Sequence, residues 1–219
     1  MSIAVPASTT YVPGTQTGQV LVSQIMSFFQ ATGSDAEGTA LAGLNSGISM
    51  INSKTWKKIY GSTDITFVAG TSEYAVPSNF KDPIRLILLD SSSNRVGRVD
   101  HMTNADMYDE FQVETTAGEP TFYTVNYSTR KVDLDSDPTS AWVTNYPTGR
   151  LFYHKRIAKL TPGGSTGLPP EFDEFLVARG ALWMAKVRDP RRVSDMATES
   201  RERWSMLLRD DTNINTDFA

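Results

Sequence analysis

The stretch Leu168–Lys186 reads LPPEFDEFLVARGALWMAK, and the way it folds decides how the rest of the chain must be arranged. Pro170 suits the first position of a helix, where a missing N–H costs nothing. Glu171, Asp173 and Glu174 put negative charge at the positive end of the helix dipole. Phe172, Phe175, Leu176, Arg179, Leu182, Trp183 and Lys186 then follow one face at helical spacing. The run ends at Asp189–Pro190, where Asp189 can cap a further helix and Pro190 can open it. That helix carries Val193, Met196, Ala197, Ser200, Trp204, Leu207 and Leu208 on its apolar side.

Helices with stripes this narrow need partners. Two candidates lie at the other end of the chain. Residues 18–32 place Leu21, Ile25, Phe28, Phe29 and Thr32 on one stripe, and Gly33 stops it. Residues 39–60 place Leu41, Leu44, Ile48, Ile51 and Thr55 on a helix-packing seam, with Gly61 as its end. Gly43 and Gly47 lie one turn apart inside it, which lowers helix propensity but permits close approach of a neighbour.

Between these pairs the period changes. Asp64–Phe67 and Glu73–Val76 read as a hairpin with a glycine-containing connection. Arg85–Leu89 reads as a buried strand returning through Ser91–Asn94 into Arg95–Val99. Thr103–Gln112 reads as a short helix capped by Thr103. Phe122–Tyr127 and Lys131–Leu134 read as a second hairpin, and Leu151–Lys155 as a last strand. TPGGSTGLPP is a linker. The expected fold is α+β: a four-helix bundle from the N- and C-terminal helix pairs (18–61 and 168–211) with a central antiparallel β insertion (62–167). A flexible arm (1–17) and a polar tail (212–219) flank it.

The 219 residues suffice for one well-packed domain, or one carrying an insertion. No apolar run approaches the roughly 20 residues that cross a bilayer, so no membrane partner is expected. The N-terminus has neither the basic nor the apolar region of a secretory signal. With no cysteine, disulfides, thiolate sites and cysteine nucleophiles are excluded, which fits synthesis in a reducing cytoplasm. The net charge of −4 argues against a nucleic-acid reader.

Motifs for chemistry fall short of their requirements. Asp133-Leu134-Asp135-Ser136-Asp137 starts like a calcium loop, but Pro138 stands where glycine is needed and Thr144 where glutamate is needed. Gly163, Gly164 and Gly167 lack the lysine of a phosphate loop. His101 and His154 have no second ligand at short spacing. No G-x-S-x-G elbow occurs. No catalytic residue, metal site or cofactor is expected. Trp183 and Trp204 sit within apolar stripes and read as core. Trp56, Trp142 and Tyr146 lie in less easily buried stretches and are candidate interface residues. Arg188, Arg191 and Arg192 cluster between the last two helices, as solvated charge or as an anchor for an acidic partner surface.

The middle and C-terminal segments resemble the head-to-tail adaptor (connector, head-completion) proteins of tailed bacteriophages. The resemblance is carried by Glu73-Tyr74-Ala75-Val76-Pro77-Ser78-Asn79-Phe80 followed by RLILL (85–89). It continues through LFYHK (151–155), the Pro/Gly-rich connection and Leu168–Leu176, then Gly180–Ala185 and Asp189. It spans roughly Ile59 to Asp211. The resemblance implies a structural, non-enzymatic virion protein of the neck. It implies a ring of about twelve copies, bound beneath the portal protein and docking tail proteins. DNA would pass through without sequence readout. The resemblance also implies that one terminus reaches along the portal; the segment Thr212, Asn213, Ile214, Asn215, Thr216, Asp217, Phe218 and Ala219 is the better candidate, because it is polar, follows the last helix and carries Phe218 near its end. The alternative is another tail structural component, such as a nozzle, tail-completion or baseplate protein, which would bind tail proteins and not the portal.

Overall fold

Helix α5 (Pro170–Arg188) forms where the sequence predicts it, with acidic Glu171 and Asp173 in its first turn and Lys186 and Arg188 in its last. It buries Phe172, Phe175, Leu176, Ala178, Gly180, Ala181, Leu182, Met184 and Ala185, more than one stripe can hold, because neighbours pack around it. These are α1 (Gly18–Phe28), α2 (Ser34–Asn52) and α6 (Val193–Thr212). The computed structural model describes residues 16–111 and 116–213. The chain divides into two compact units, one holding residues up to Lys54 and from Ile157 onward, the other Thr55–Arg156.

In the helical unit, α2 meets α5 through glycines. A Cβ on Gly43 would lie 2.8 Å from the Gly180 Cα, and one on Gly180 would lie 2.2 Å from Ile25 Cδ1. A side chain at Gly43 would push on the α5 backbone, whereas one at Gly180 would require the buried Ile25 side chain to give way. Residues 157–169 cross these helices as a strap. Asn45 Nδ2 donates to the Leu160 carbonyl (3.2 Å) while the Leu160 N–H donates to Asn45 Oδ1 (2.7 Å). Seven residues on, Asn52 does the same with Ile157, at 2.8 Å in both directions. The two amides stand in for a neighbouring strand. The strap then caps α1: Gly18 N–H donates to Gly164 O and Gln19 N–H to Pro162 O, satisfying groups every helix start leaves open. Thr17 caps the same turn through Val20 N–H.

The second unit is built on β1 (Tyr60–Thr66), β2 (Glu73–Ala75), β3 (Phe80–Leu89), β4 (Arg95–His101), β5 (Ala117–Gly118), β6 (Phe122–Asn126), β7 (Lys131–Leu134), β8 (Asp137–Pro138) and β9 (Thr148–Lys155). Helices α3 (Asn104–Phe111) and α4 (Ser140–Asn145) lie between the strands. Seven strands form one sheet in the order β1-β9-β3-β4-β6-β7-β2, and β5 pairs with β8. Consecutive strands β1 and β2 thus occupy opposite ends of the sheet. Laid flat, those ends would stand ~29 Å apart. The connection 67–72 reaches ~24 Å at full stretch. The sheet must therefore curl. Across the connection Tyr74 Oη donates to Thr71 O (2.6 Å) and accepts from Val68 N–H (3.1 Å). Inside lie Leu86, Leu88, Val99, Tyr123, Val125, Val132, Leu134, Leu151 and Tyr153, with Phe67 and Trp142 stacked edge to face at 4.9 Å.

The expected four-helix bundle with a central antiparallel insertion is overturned, although the chain is mixed α+β. The six helices of the described residues are spread along the chain, two of them among the strands, and the sheet is curled with a parallel pair, β4 with β6. In the helical unit α6 buries only Ser200 and Leu207. It leans on α5 and does not close a fourth wall around a shared core. The predicted hairpin of 64–67 with 73–76 is also absent: β1 pairs with β9 and β2 with β7. Helix α2 starts at Ser34 and stops at Asn52, short of the predicted Tyr60, because the following residues turn into β1.

Candidate protein interface

Two side-chain contacts set α6 on α5. Arg203 Nη1 donates to Glu174 Oε2 at 2.6 Å, and the Trp204 ring lies 4.9 Å from that of Phe175. Residues three and four apart on the other side then face away from α5. There Asp195, Thr198, Glu199, Glu202 and Met206 line a shallow cleft, with Arg203 at its rim. Met206 is 46% exposed. In the sequence the interleaved charge of this helix reads as plain solvated surface, which hides the cleft. Of the expected portal-binding residues, Thr212 ends α6 and Asn213 is its C-cap, its N–H donating to Arg209 O at 3.2 Å. Ile214, Asn215, Thr216, Asp217, Phe218 and Ala219 lie outside the described residues.

On the α2 side of α5 stand Trp183, 38% exposed, and Val187, 59% exposed. Trp183 was expected in the core. Its Cβ approaches Gly43, and with no side chain there to enclose the indole, the ring reaches the surface. Trp204, the other predicted core tryptophan, is half-buried against Phe175. The arginine cluster divides. Arg192 donates to Phe28 O (3.0 Å), lies 5.7 Å over the Phe29 ring and pairs with Asp189 at 3.3 Å, so it closes the end of α1. Arg191 is 98% exposed in its side chain and reaches Asp189 only at 3.9 Å.

The interface candidates of the β unit turn inward. Trp56 and Trp142 are both buried, and Trp142 sits between Phe67 and the half-buried Tyr146, whose centroid is 5.3 Å away. The family-like phrase 73–80 is structural residue by residue. Glu73 pairs with Lys131 across the β2–β7 ladder. Tyr74 ties the sheet connection, and the Pro77 and Ser78 carbonyls accept from Arg130 Nη2 at 2.9 and 3.0 Å. Asn79 Oδ1 accepts from Tyr153 Oη at 3.1 Å, and Phe80 joins the core.

The acidic alternation serves the strands around it. Asp135 accepts from Thr121 N–H (3.1 Å) and Thr121 Oγ1 (2.7 Å). Burial, and then the neighbouring Glu73, push the Asp133 carboxyl above its ordinary value. Asp137 lies in β8. Among the described residues no group of three or more His, Cys, Asp or Glu is placed to hold a metal ion. His101 packs edge-on to Tyr123 at 5.2 Å, and burial pushes its pKa down. His154 Nδ1 lies 3.0 Å from Trp56 O. Gly164 belongs to the strap that caps α1. No helix of the described residues is long and apolar enough to cross a membrane.

The polar groups of the phrase 73–80 and of Asp135 thus hold strands together. No curated protein matches the chain. The family model described as SU10 adaptor protein matches residues 16–215, which takes in both compact units. The chain belongs to the SU10 adaptor protein family, a phage head-to-tail adaptor family, and is a structural component of the virion.

Proposed function

We propose that this adaptor binds beneath the portal protein as a ring of about twelve copies, docks tail proteins, and lets DNA pass through unread. The observation that carries this reading is the family match over residues 16–215. Two units with separate cores, one helical and one β, also suit a protein that must meet unlike neighbours on its head and tail sides. Net charge of −4 favours passage, because a basic lumen would hold phosphates and oppose ejection. The segment Thr212–Ala219 is the proposed portal contact, since it continues directly from α6. The host cytoplasm is the proposed place of synthesis, and the neck of the virion the final one.

The test images the purified protein, mixed with the portal of the same genome, by negative stain. The intact chain is expected to add a ring of density to the portal, and a variant lacking 212–219 is expected to lose it while keeping its helical circular dichroism. Failure of the intact chain to add a ring rejects the portal reading. A ring that survives the deletion rejects only the tail segment as contact.

A further inference from the structure

Two exposed apolar spots of the helical unit carry rims of opposite charge. On α6, Met206 shares its cleft with Asp195, Glu199 and Glu202, and the cation at that rim, Arg203, is already taken by Glu174. Arg201, with its Nε on Ala197 O, and Arg209 border the same Met206 on its other side, so the three acids exceed these two cations by one. On α5, Trp183 and Val187 are one turn apart beside exposed Lys186 and Arg188, and Arg191 follows in the 3-10 turn Pro190–Arg192. Antiparallel α2 brings Asp35 and Glu37 toward this end and Asp189 pairs with Arg191 and Arg192, so four cations, Lys186, Arg188, Arg191 and Arg192, stand against three carboxylates.

The two spots cannot meet within one chain. Trp183 is on the side of α5 that faces α2, as its contact with Gly43 shows, whereas the α6 cleft is turned away from α5. A partner that satisfies both must carry both. We propose that the α6 cleft of one copy receives the Trp183–Val187 corner of α5 from a second copy. An exposed tryptophan is a suitable anchor for such a contact, and acidic-to-basic rims set its register and its rate of formation. Because the two surfaces differ, the contact is head-to-tail and repeats from copy to copy. This assignment rests on the ring reading above and names the lateral faces of that ring.

The chain has no cysteine, so a trapping pair can be introduced cleanly. Purified V187C and T198C proteins, mixed under mild oxidation, are expected to give a mixed disulfide dimer about tenfold above V187C mixed with S128C, whose cysteine sits on an exposed turn of the β unit. The double variant V187C/T198C is expected to give a ladder of covalent multimers. Adding E199K and E202K to the T198C protein should bring the yield down to the S128C level, and K186E with R188E in its V187C partner should restore it. Yields equal to the S128C control, or unmoved by charge reversal, overturn the assignment. If the ladder is absent while the cysteine-free chain still adds a ring to the portal, these faces are wrong and the adaptor reading stands. If that ring is absent too, the reading beneath it falls.

Discussion

Asp173 is 3% exposed, in the first turn of α5, with Oδ1 accepting from Thr166 Oγ1 at 3.1 Å and Oδ2 buried without a protein partner. Burial raises its pKa to about 6, against the smaller lowering effect of the Thr166 hydrogen bond. An unfolded aspartate titrates near 3.8, so the fold favours the protonated form. The unfavourable charge is absent below the unfolded value, grows as pH rises from about 4 to about 6, and is fully present at neutral pH. Asp173→Asn is therefore expected to stabilise the protein at pH 7.5, by up to ~3 kcal/mol from a shift of about two pH units. Thermal melts at pH 7.5 and pH 4 check this: the gain must vanish at pH 4, and an equal gain at both would show that charge is not the cause. Sequence alone could not single out Asp173. Glu171, Asp173 and Glu174 serve the helix dipole alike, and only the path of the strap, which brings Thr166 over one of the three, sets it apart.

Element by element, the strap is the part of the helical unit that local sequence explains least. Apart from an isolated antiparallel bridge of Ser165 with Thr17, residues 157–169 pair with no strand, yet Ile157 and Leu160 each have both backbone groups satisfied by an asparagine of α2. Asn52→Ala leaves the Ile157 N–H and C=O without that partner, and is expected to cost about 1–3 kcal/mol. Hydrogen exchange should quicken at Ile157 and Gln19, while the β9 amides of Arg150 and Phe152 stay protected; unchanged exchange at Ile157 would show the pairing to be incidental. Helices α1, α2, α5 and α6 were legible because stripes such as Leu44–Ile48–Ile51 and Phe172–Phe175–Leu176 repeat at helical spacing. Their arrangement was not, since nothing in the α6 stripe announces that Val193, Met196 and Trp204 stay half-exposed. Neighbouring strands were easiest to pair when they truly meet, as β6 and β7 do. The β1–β2 pairing failed because the curl of the whole sheet, and not the short connection between them, sets the partners. Helix α4 was missed because SAWVTN is too short to show a period.

For the whole molecule, charge bears most directly on the adaptor reading. The middle unit, residues 55–156, holds 11 basic and 13 acidic residues, and the remainder holds 10 and 12, so each part carries −2. Neither part is an electrostatic exception hidden beneath the total of −4. Duplex DNA is bound chiefly by cations that displace its counterions, and affinity gained this way is greatest at low salt. The exposed cations near Arg191 are too few to reverse the balance, and Arg192, Arg150 and Arg203 are committed to Asp189, Asp64 and Glu174. Where such commitment is tightest it shows in the titration: the Arg150 hydrogen bond holds the Asp64 carboxyl below its ordinary value. The exposure of Trp183, unseen in the sequence because its stripe reads as core, adds an apolar surface suited to protein and not to phosphate. Duplex DNA is therefore expected to show no mobility shift with the protein at micromolar concentration, even at ~50 mM salt, where cationic binders hold most tightly. A retarded band that disappears on raising the salt to ~200 mM would identify a phosphate-binding surface and would count against a channel through which DNA slides without being held.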